Sequence, residues 1–162
     1  MRLRISWLLV LLAHWPHHGV AQTQPSIRRE VSPLLVLREH SGFGDEARLV
    51  VRDSALWAAL WPRVIGPENP MPARPAVDFT RQLLIIAAMG GRRSGGFGIT
   101  VDSVVDTPAW LVAYVRSTSP GFGCLVTMGF TQPIRVVATA VTPKPIYFEE
   151  RAEQAVPCLS VR

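Results

Sequence analysis

Histidine is nearly absent from the body of this chain. Of four histidines in 162 residues, His14, His17 and His18 sit in an N-terminal stretch, and His40 alone lies beyond it, in an early turn. A hydrolase needs a nucleophile with a base beside it, and histidine is the usual base. A serine–histidine–carboxylate site on His40 is the one hydrolytic arrangement left open, and no serine stands in a Gly-x-Ser-x-Gly. Metal chemistry is equally short of donors. Beyond the N-terminal stretch there is no His-x-x-x-His, Cys-x-x-Cys or Asp-x-Asp-x-Asp, the spacings that commonly gather ligands on one metal. No metal and no cofactor are expected, and the chain reads as a non-enzyme.

Lysine is missing too, apart from Lys144, so the formal charge of +5 rests on scattered arginines. Only Arg28-Arg29 and Arg92-Arg93 are adjacent. A nucleic-acid surface needs a basic stripe in helical or aromatic context, so nucleic acid is not an expected partner. The charge is a mild bias that favours an acidic protein or an envelope surface. Gly90 and Gly95 have the spacing of a phosphate loop, but Gly96-Phe97 stands where Lys-Ser/Thr is required. A strand follows instead of a helix, so no helix N-terminus would face a phosphate.

Long apolar runs are confined to the start. Met1 to Arg4 is a short basic segment, Ile5 to Ala13 an apolar one, and Gly19-Val20-Ala21 supplies small residues before a cleavage point. Residues 1–21 read as a secretory signal peptide cut after Ala21. The apolar segment is too short to cross a bilayer and is followed by His14, Pro16, His17 and His18. Loss of Arg2 and Arg4 takes the net charge from +5 to +3. The product is expected to be exported, periplasmic or extracellular, with no transmembrane segment after signal removal. Cysteine is also scarce. In an exported chain, Cys124 and Cys158 as the only pair are most simply one disulfide. It closes a loop of about 34 residues, worth roughly 3–4 kcal/mol in chain entropy.

What is present is mostly strand. Residues 22–32, with Arg28-Arg29-Glu30, are polar and read as a flexible lead-in. Leu34 to Leu37 and Ala47 to Arg52 read as strands around the turn residues His40 to Asp45. Asp53-Ser54 can cap a helix. Leu56, Trp57, Leu60 and Trp61 recur at helical spacing, with the tryptophans packing inward, and Pro62 closes the helix or confines it to a last turn. Gly66 to Pro75 holds four prolines and must be a connecting loop. Leu83 to Met89 is apolar on both faces, as in a strand between two layers. Phe97, Ile99 and Val101 alternate with small or polar residues, and Trp110 to Val115, Ile134 to Ala138 and Pro145 to Phe148 complete about seven strands. Ser117 to Gly123 reads as a loop. The sum is a single β-rich α+β domain over residues 33–162, an antiparallel sandwich or partly open barrel with one short helix.

Five glycines lie between positions 90 and 98, with Arg92-Arg93 at the tip and Phe97 at the exit. A tight turn needs one or two for positive φ; glycines also let another backbone approach. The loop is therefore a turn, or a turn that also meets a partner. Arg92, Arg93, Ser94, Gly95, Gly96 and Phe97, with Gly121 and Phe122 of the Pro120-Gly121 loop, are the candidate contacts. The arginines would bind carboxylates, and Phe97 would be an apolar anchor if exposed or core if not.

The order Val77-Asp78-Phe79, an apolar strand, Gly91 to Phe97, Pro120-Gly121 and Gln132-Pro133 resembles the PrcB C-terminal family over roughly residues 75–148. Ser94 and Phe97 stand where that family usually has threonine and tyrosine. The resemblance implies an accessory subunit of a secreted bacterial protease complex, hence a protein-binding module whose partner is a protein such as an exported protease. The Gly-Gly-Phe turn also resembles the loop of chagasin-type cysteine-protease inhibitors, although the rest of that pattern is absent. A protease-inhibitor-like sandwich is therefore the alternative, with a His40 hydrolase behind it.

Overall fold

The computed structural model describes residues 26–155, 157 and 158. The expected signal peptide over 1–21 lies outside the described residues. Eight strands and one helix follow in the order β1 (Ile27–Arg29), β2 (Ser32–Arg38), β3 (Glu46–Val51), α1 (Ser54–Ile65), β4 (Gln82–Met89), β5 (Gly98–Asp106), β6 (Leu111–Ser119), β7 (Ile134–Ala140) and β8 (Ile146–Gln154). They form two four-stranded sheets, β2-β7-β4-β3 and β1-β5-β6-β8. The result is an α+β sandwich, and the described strands do not close into a barrel.

The apolar run 83–89 explains the layering. Leu84, Ile86 and Ala88 of β4 point to α1, together with Ile134 and Val136 of β7. Leu83, Ile85, Ala87 and Met89 point the other way, onto Ile99, Val101, Ala113 and Val115 of the second sheet. Alternation along a strand sends neighbours to opposite faces, so a run of seven apolar residues must be covered on both.

Helix α1 lies on the outer face of the first sheet. Asp53 caps it, accepting from Leu56 N at 2.8 Å. Trp57, Trp61, Val64 and Ile65 are its buried stripe. Pro62 sits inside the helix and begins its last turn, and Gly66 ends it at φ 77°. The proline-rich loop runs back along the helix. Its Pro75 and Pro72 carbonyls accept from the indole N–H groups of Trp57 and Trp61, at 3.2 and 2.9 Å.

Among the differences from the sequence expectation, three concern how the strands are laid out. The lead-in is not all loop: Ile27–Arg29 pairs antiparallel with β5. Its anchor is Arg29, whose Nε and Nη2 donate to Asp106 at 2.9 and 2.7 Å. A three-residue strand whose first two residues are exposed carries no periodicity to detect. Second, β6 continues to Ser119, into the segment expected to be loop. Third, the sandwich is not wholly antiparallel. The chain leaves β7, crosses between the sheets through Pro143, Lys144 and Pro145, and runs parallel to β6 as β8.

Asp106 gives the fold a titratable joint. Hydrogen bonds from Lys144 and then Arg29 hold its carboxyl below the ordinary aspartate range. A carboxyl depressed in the folded state adds stability above its unfolded pKa, and that contribution is lost as pH falls through the folded value. The melting temperature should therefore fall as pH drops below about 4. Asp106→Asn should be less stable at neutral pH and show a shallower acid limb. Thermal melts of both proteins across the acid range check this; parallel curves would show that Asp106 contributes nothing.

Candidate functional site

Four chain segments meet at one end of the sandwich: the turn 39–45, the glycine-rich loop 90–97, the long loop 120–133 and the tail after β8. Antiparallel pairing causes this. Ala88 of β4 faces Ile134 of β7, so the loop leaving β4 and the loop entering β7 emerge side by side. Met89 N donates to Pro133 O at 2.9 Å, and Arg92 and Thr131 exchange backbone bonds of 2.8 and 2.9 Å. Gly91 N reaches Gly44 O at 2.8 Å, and Gln132 N reaches Glu39 O at 2.6 Å.

The glycines do more than turn the chain. Gly90 has φ 74°, and a Cβ there would stand 2.8 Å from the Asp45 carbonyl carbon. Gly96 has φ 82°, and its Cβ would meet Val126 Cγ1 at 2.8 Å and Pro120 at 3.1 Å. The loop therefore needs glycine both for positive φ and for the approach of loop 120–133. Gly95 N donates to Thr127 O at 2.9 Å, and Thr131 Oγ1 donates to Ser94 O at 2.8 Å. The two loops are one braced unit.

Cys124 and Cys158 form the expected disulfide, with Cα atoms 4.8 Å apart. Cys158 N also donates to Phe122 O at 3.0 Å, and Ala155 N to Ser119 O at 2.9 Å. The tail thus continues along the β6 side and staples the base of loop 120–133.

Residues 83–140 match the PrcB C-terminal family. The match begins inside β4 and ends with β7, so this PrcB-type segment contains both braced loops. Val77-Asp78-Phe79, which contributed to the sequence resemblance, precedes it. No curated protein and no solved structure matches the chain.

Within the PrcB-type segment the candidate contacts divide. Gly95 and Gly121 are buried. Phe97 is half-buried and packs against the core between the sheets, so it is not the free apolar anchor considered from the sequence. Arg92 is half-buried, ion-paired to Glu46 at 2.8 Å, with its guanidinium 5.8 Å from the Phe97 ring centroid. Ser94 is half-buried and its hydroxyl donates to Gly95 O at 3.2 Å. Arg93, Gly96 and Phe122 remain exposed. Arg93 has no hydrogen-bond or ion-pair partner among the described residues.

Of the exposed apolar residues at this end, only Phe122 was singled out from the sequence. Leu125 is fully exposed, Met128 95%, Phe130 74% and Phe122 65%. All four belong to loop 120–133. The signal was available: no charged residue occurs between Arg116 and Arg135. An uncharged stretch broken by Gly121, Gly123 and Gly129, with no strand or helix period, cannot bury its large side chains in a regular element. His40 lies exposed beside this end, with no hydrogen bond to a serine or carboxylate among the described residues. Among those residues no three His, Cys, Asp or Glu side chains gather as metal ligands, and no helix is long and apolar enough to cross a membrane.

Proposed function

We propose that this chain is an exported, non-catalytic protein-binding domain that stabilises or regulates a partner protein, in the manner of a protease-complex accessory subunit. The observation that carries the reading is the loop 120–133, which holds Phe122, Leu125, Met128 and Phe130 out in solvent on a braced base. Exposing four large apolar groups is unfavourable unless something covers them. Apolar and aromatic side chains that become fully desolvated dominate the energetics of interfaces. Bracing by the disulfide and by the glycine-rich loop reduces the entropy lost when the loop docks. Arg93, next to the Arg92–Thr131 bridge between the two loops, adds a guanidinium with no partner among the described residues, suited to a partner carboxylate.

The disulfide is consistent with an oxidising compartment, and the N-terminal leader points the same way. The non-catalytic reading is supported by the apolar character of this end, where exposed side chains of loop 120–133 stand ready for a partner. The same loop end would be the working face of a protease-inhibitor-like module, and the two readings differ in whether a captured protease loses activity.

The test is co-purification from the exported fraction of the native cell. Wild-type protein should retain a partner identifiable by mass spectrometry. Leu125→Ser/Met128→Ser/Phe130→Ser should weaken retention of that partner at least about a hundredfold, since a few anchors carry about 2 kcal/mol or more each. Its melting temperature should stay near wild type, because the three side chains touch little. Equal retention of the same partner by the triple variant would place recognition elsewhere.

A further inference from the structure

The four terminal strands of the two sheets are not equally protected. An edge strand offers unpaired backbone groups to any passing chain, and proteins blunt such edges with proline, bulges or shortness. Strand β1 has only three residues. Strand β2 contains Pro33 and two register shifts, and β3 is six residues long. Strand β8 has nine residues, no proline, no lysine and no bulge against β6.

Its free backbone groups can be assigned. Pro145 O accepts from Leu111 N, and Ala155 N donates to Ser119 O. Both residues therefore turn their backbone groups toward β6, and the register between them is unbroken. Backbone groups alternate in direction along a strand. The odd-numbered residues thus face β6, and Ile146, Phe148, Glu150, Ala152 and Gln154 direct N–H and C=O outward. Among the described residues nothing pairs with them. The tail cannot turn back over this edge before Cys158, which is held on the β6 side by Phe122 and Cys124.

We propose that β8 pairs antiparallel with β8 of a second copy about a twofold axis through Glu150, joining two four-stranded sheets into one of eight. The charges select this occupant. Glu149 and Arg151 are exposed, on the face opposite core-packed Phe148; neither side chain makes a hydrogen bond or ion pair with a described residue, and Arg151 interacts only at longer range, with Asp102. An axis at Glu150 sets outward-facing Phe148 against Ala152 and Ile146 against Gln154. It also places Glu149 of each copy opposite Arg151 of the other. Opposite charges directly across a strand pair are favourable and like charges are not. Sliding the register by two residues, the smallest step that keeps the hydrogen bonds, sets Glu149 against Glu149 or Arg151 against Arg151. One register is therefore preferred, and it is self-complementary, as a twofold interface requires. The two Glu150 side chains meet at the axis, but each points toward its own Arg48, whose Nε and Nη2 already bind it at 2.5 and 3.0 Å.

Sedimentation velocity over a concentration series tests the proposal on the purified protein. Wild type should show a monomer–dimer equilibrium. Arg151→Glu should weaken it roughly tenfold or more, since two attractive pairs become repulsive. Glu149→Arg/Arg151→Glu should restore it, because the pairs are re-formed with their signs exchanged. A wild type that stays monomeric, an unaffected Arg151→Glu, or a double variant no better than the single one each overturns the pairing. Glu150→Cys provides a reading independent of charge. Its Cα would lie about 5.5 Å from its twofold mate, within disulfide reach. Covalent dimer under mild oxidation is expected, and its absence also overturns the proposal.

Discussion

Trp57→Ala should lower the unfolding free energy by about 3–5 kcal/mol, the largest effect expected of any single substitution in this chain. Trp57 is 1% exposed and packs between α1 and the first sheet. Its ring meets Trp61 edge-on at a centroid distance of 5.2 Å, and its indole N–H donates to Pro75 O. Truncation leaves a cavity, removes the aromatic pair and deserts a carbonyl of the proline-rich loop. Trp57→Phe keeps most of the apolar volume but loses the hydrogen bond, and should cost about 1–2 kcal/mol. Leu56→Ala, at a neighbouring helix position that is 41% exposed, should cost less than about 1 kcal/mol. Urea titrations of the three variants rank them. Equal losses at Trp57 and Leu56 would mean that this face does not dock the helix.

The helix was legible because two tryptophans at spacing four with an aspartate cap leave little else to choose. The layering was legible from Leu83 to Met89, since a strand apolar on both faces must lie between two layers. The disulfide was legible from a single cysteine pair. Other features lay beyond local pattern. Residues 149–154 are Glu-Glu-Arg-Ala-Glu-Gln, with no apolar alternation, so the sequence shows the last strand only as far as Phe148, whereas β8 runs to Gln154. A strand held mainly by its backbone pairing to β6 leaves no hydropathy trace. The parallel pairing was hidden because Val141 to Pro145 is short enough to suggest a hairpin, while the chain instead changes sheets.

The loop end was legible in part. The glycine-rich loop and the Pro-Gly loop were both recognised, but their contact was not, because backbone approach at Gly96 is a property of two segments distant in sequence. Phe97 fell to the core side, as its place before an alternating strand allows. Leu125, Met128 and Phe130 escaped notice because hydropathy argues for burial. Only the placement of loop 120–133 beyond the sheets shows that there is no core left to receive them.

Replacing Cys124 and Cys158 together by alanine should reduce stability by about 3–4 kcal/mol in the chain-entropy account of a loop this long. The bond closes 34 residues of sequence, and within that span lie most of loop 120–133, from Cys124 onward, with β7 and β8. Its local consequence follows from where it sits. The staple holds the base of the loop to the tail, while Gly95, Ser94 and Arg92 hold the far side. Without it, one of two braces is gone and the four exposed apolar side chains are no longer presented from a fixed base. Binding to the captured partner should therefore weaken even at temperatures where the variant stays folded, since ordering the loop then costs free energy at docking. Urea unfolding gives the stability change, and hydrogen exchange at Gly95 and Thr131 reports whether the loop has loosened. Faster exchange there, with α1 amides unchanged at low denaturant, is the expected pattern. A double-alanine protein as stable as wild type, binding its partner as tightly, would show that the glycine-rich loop alone holds the surface.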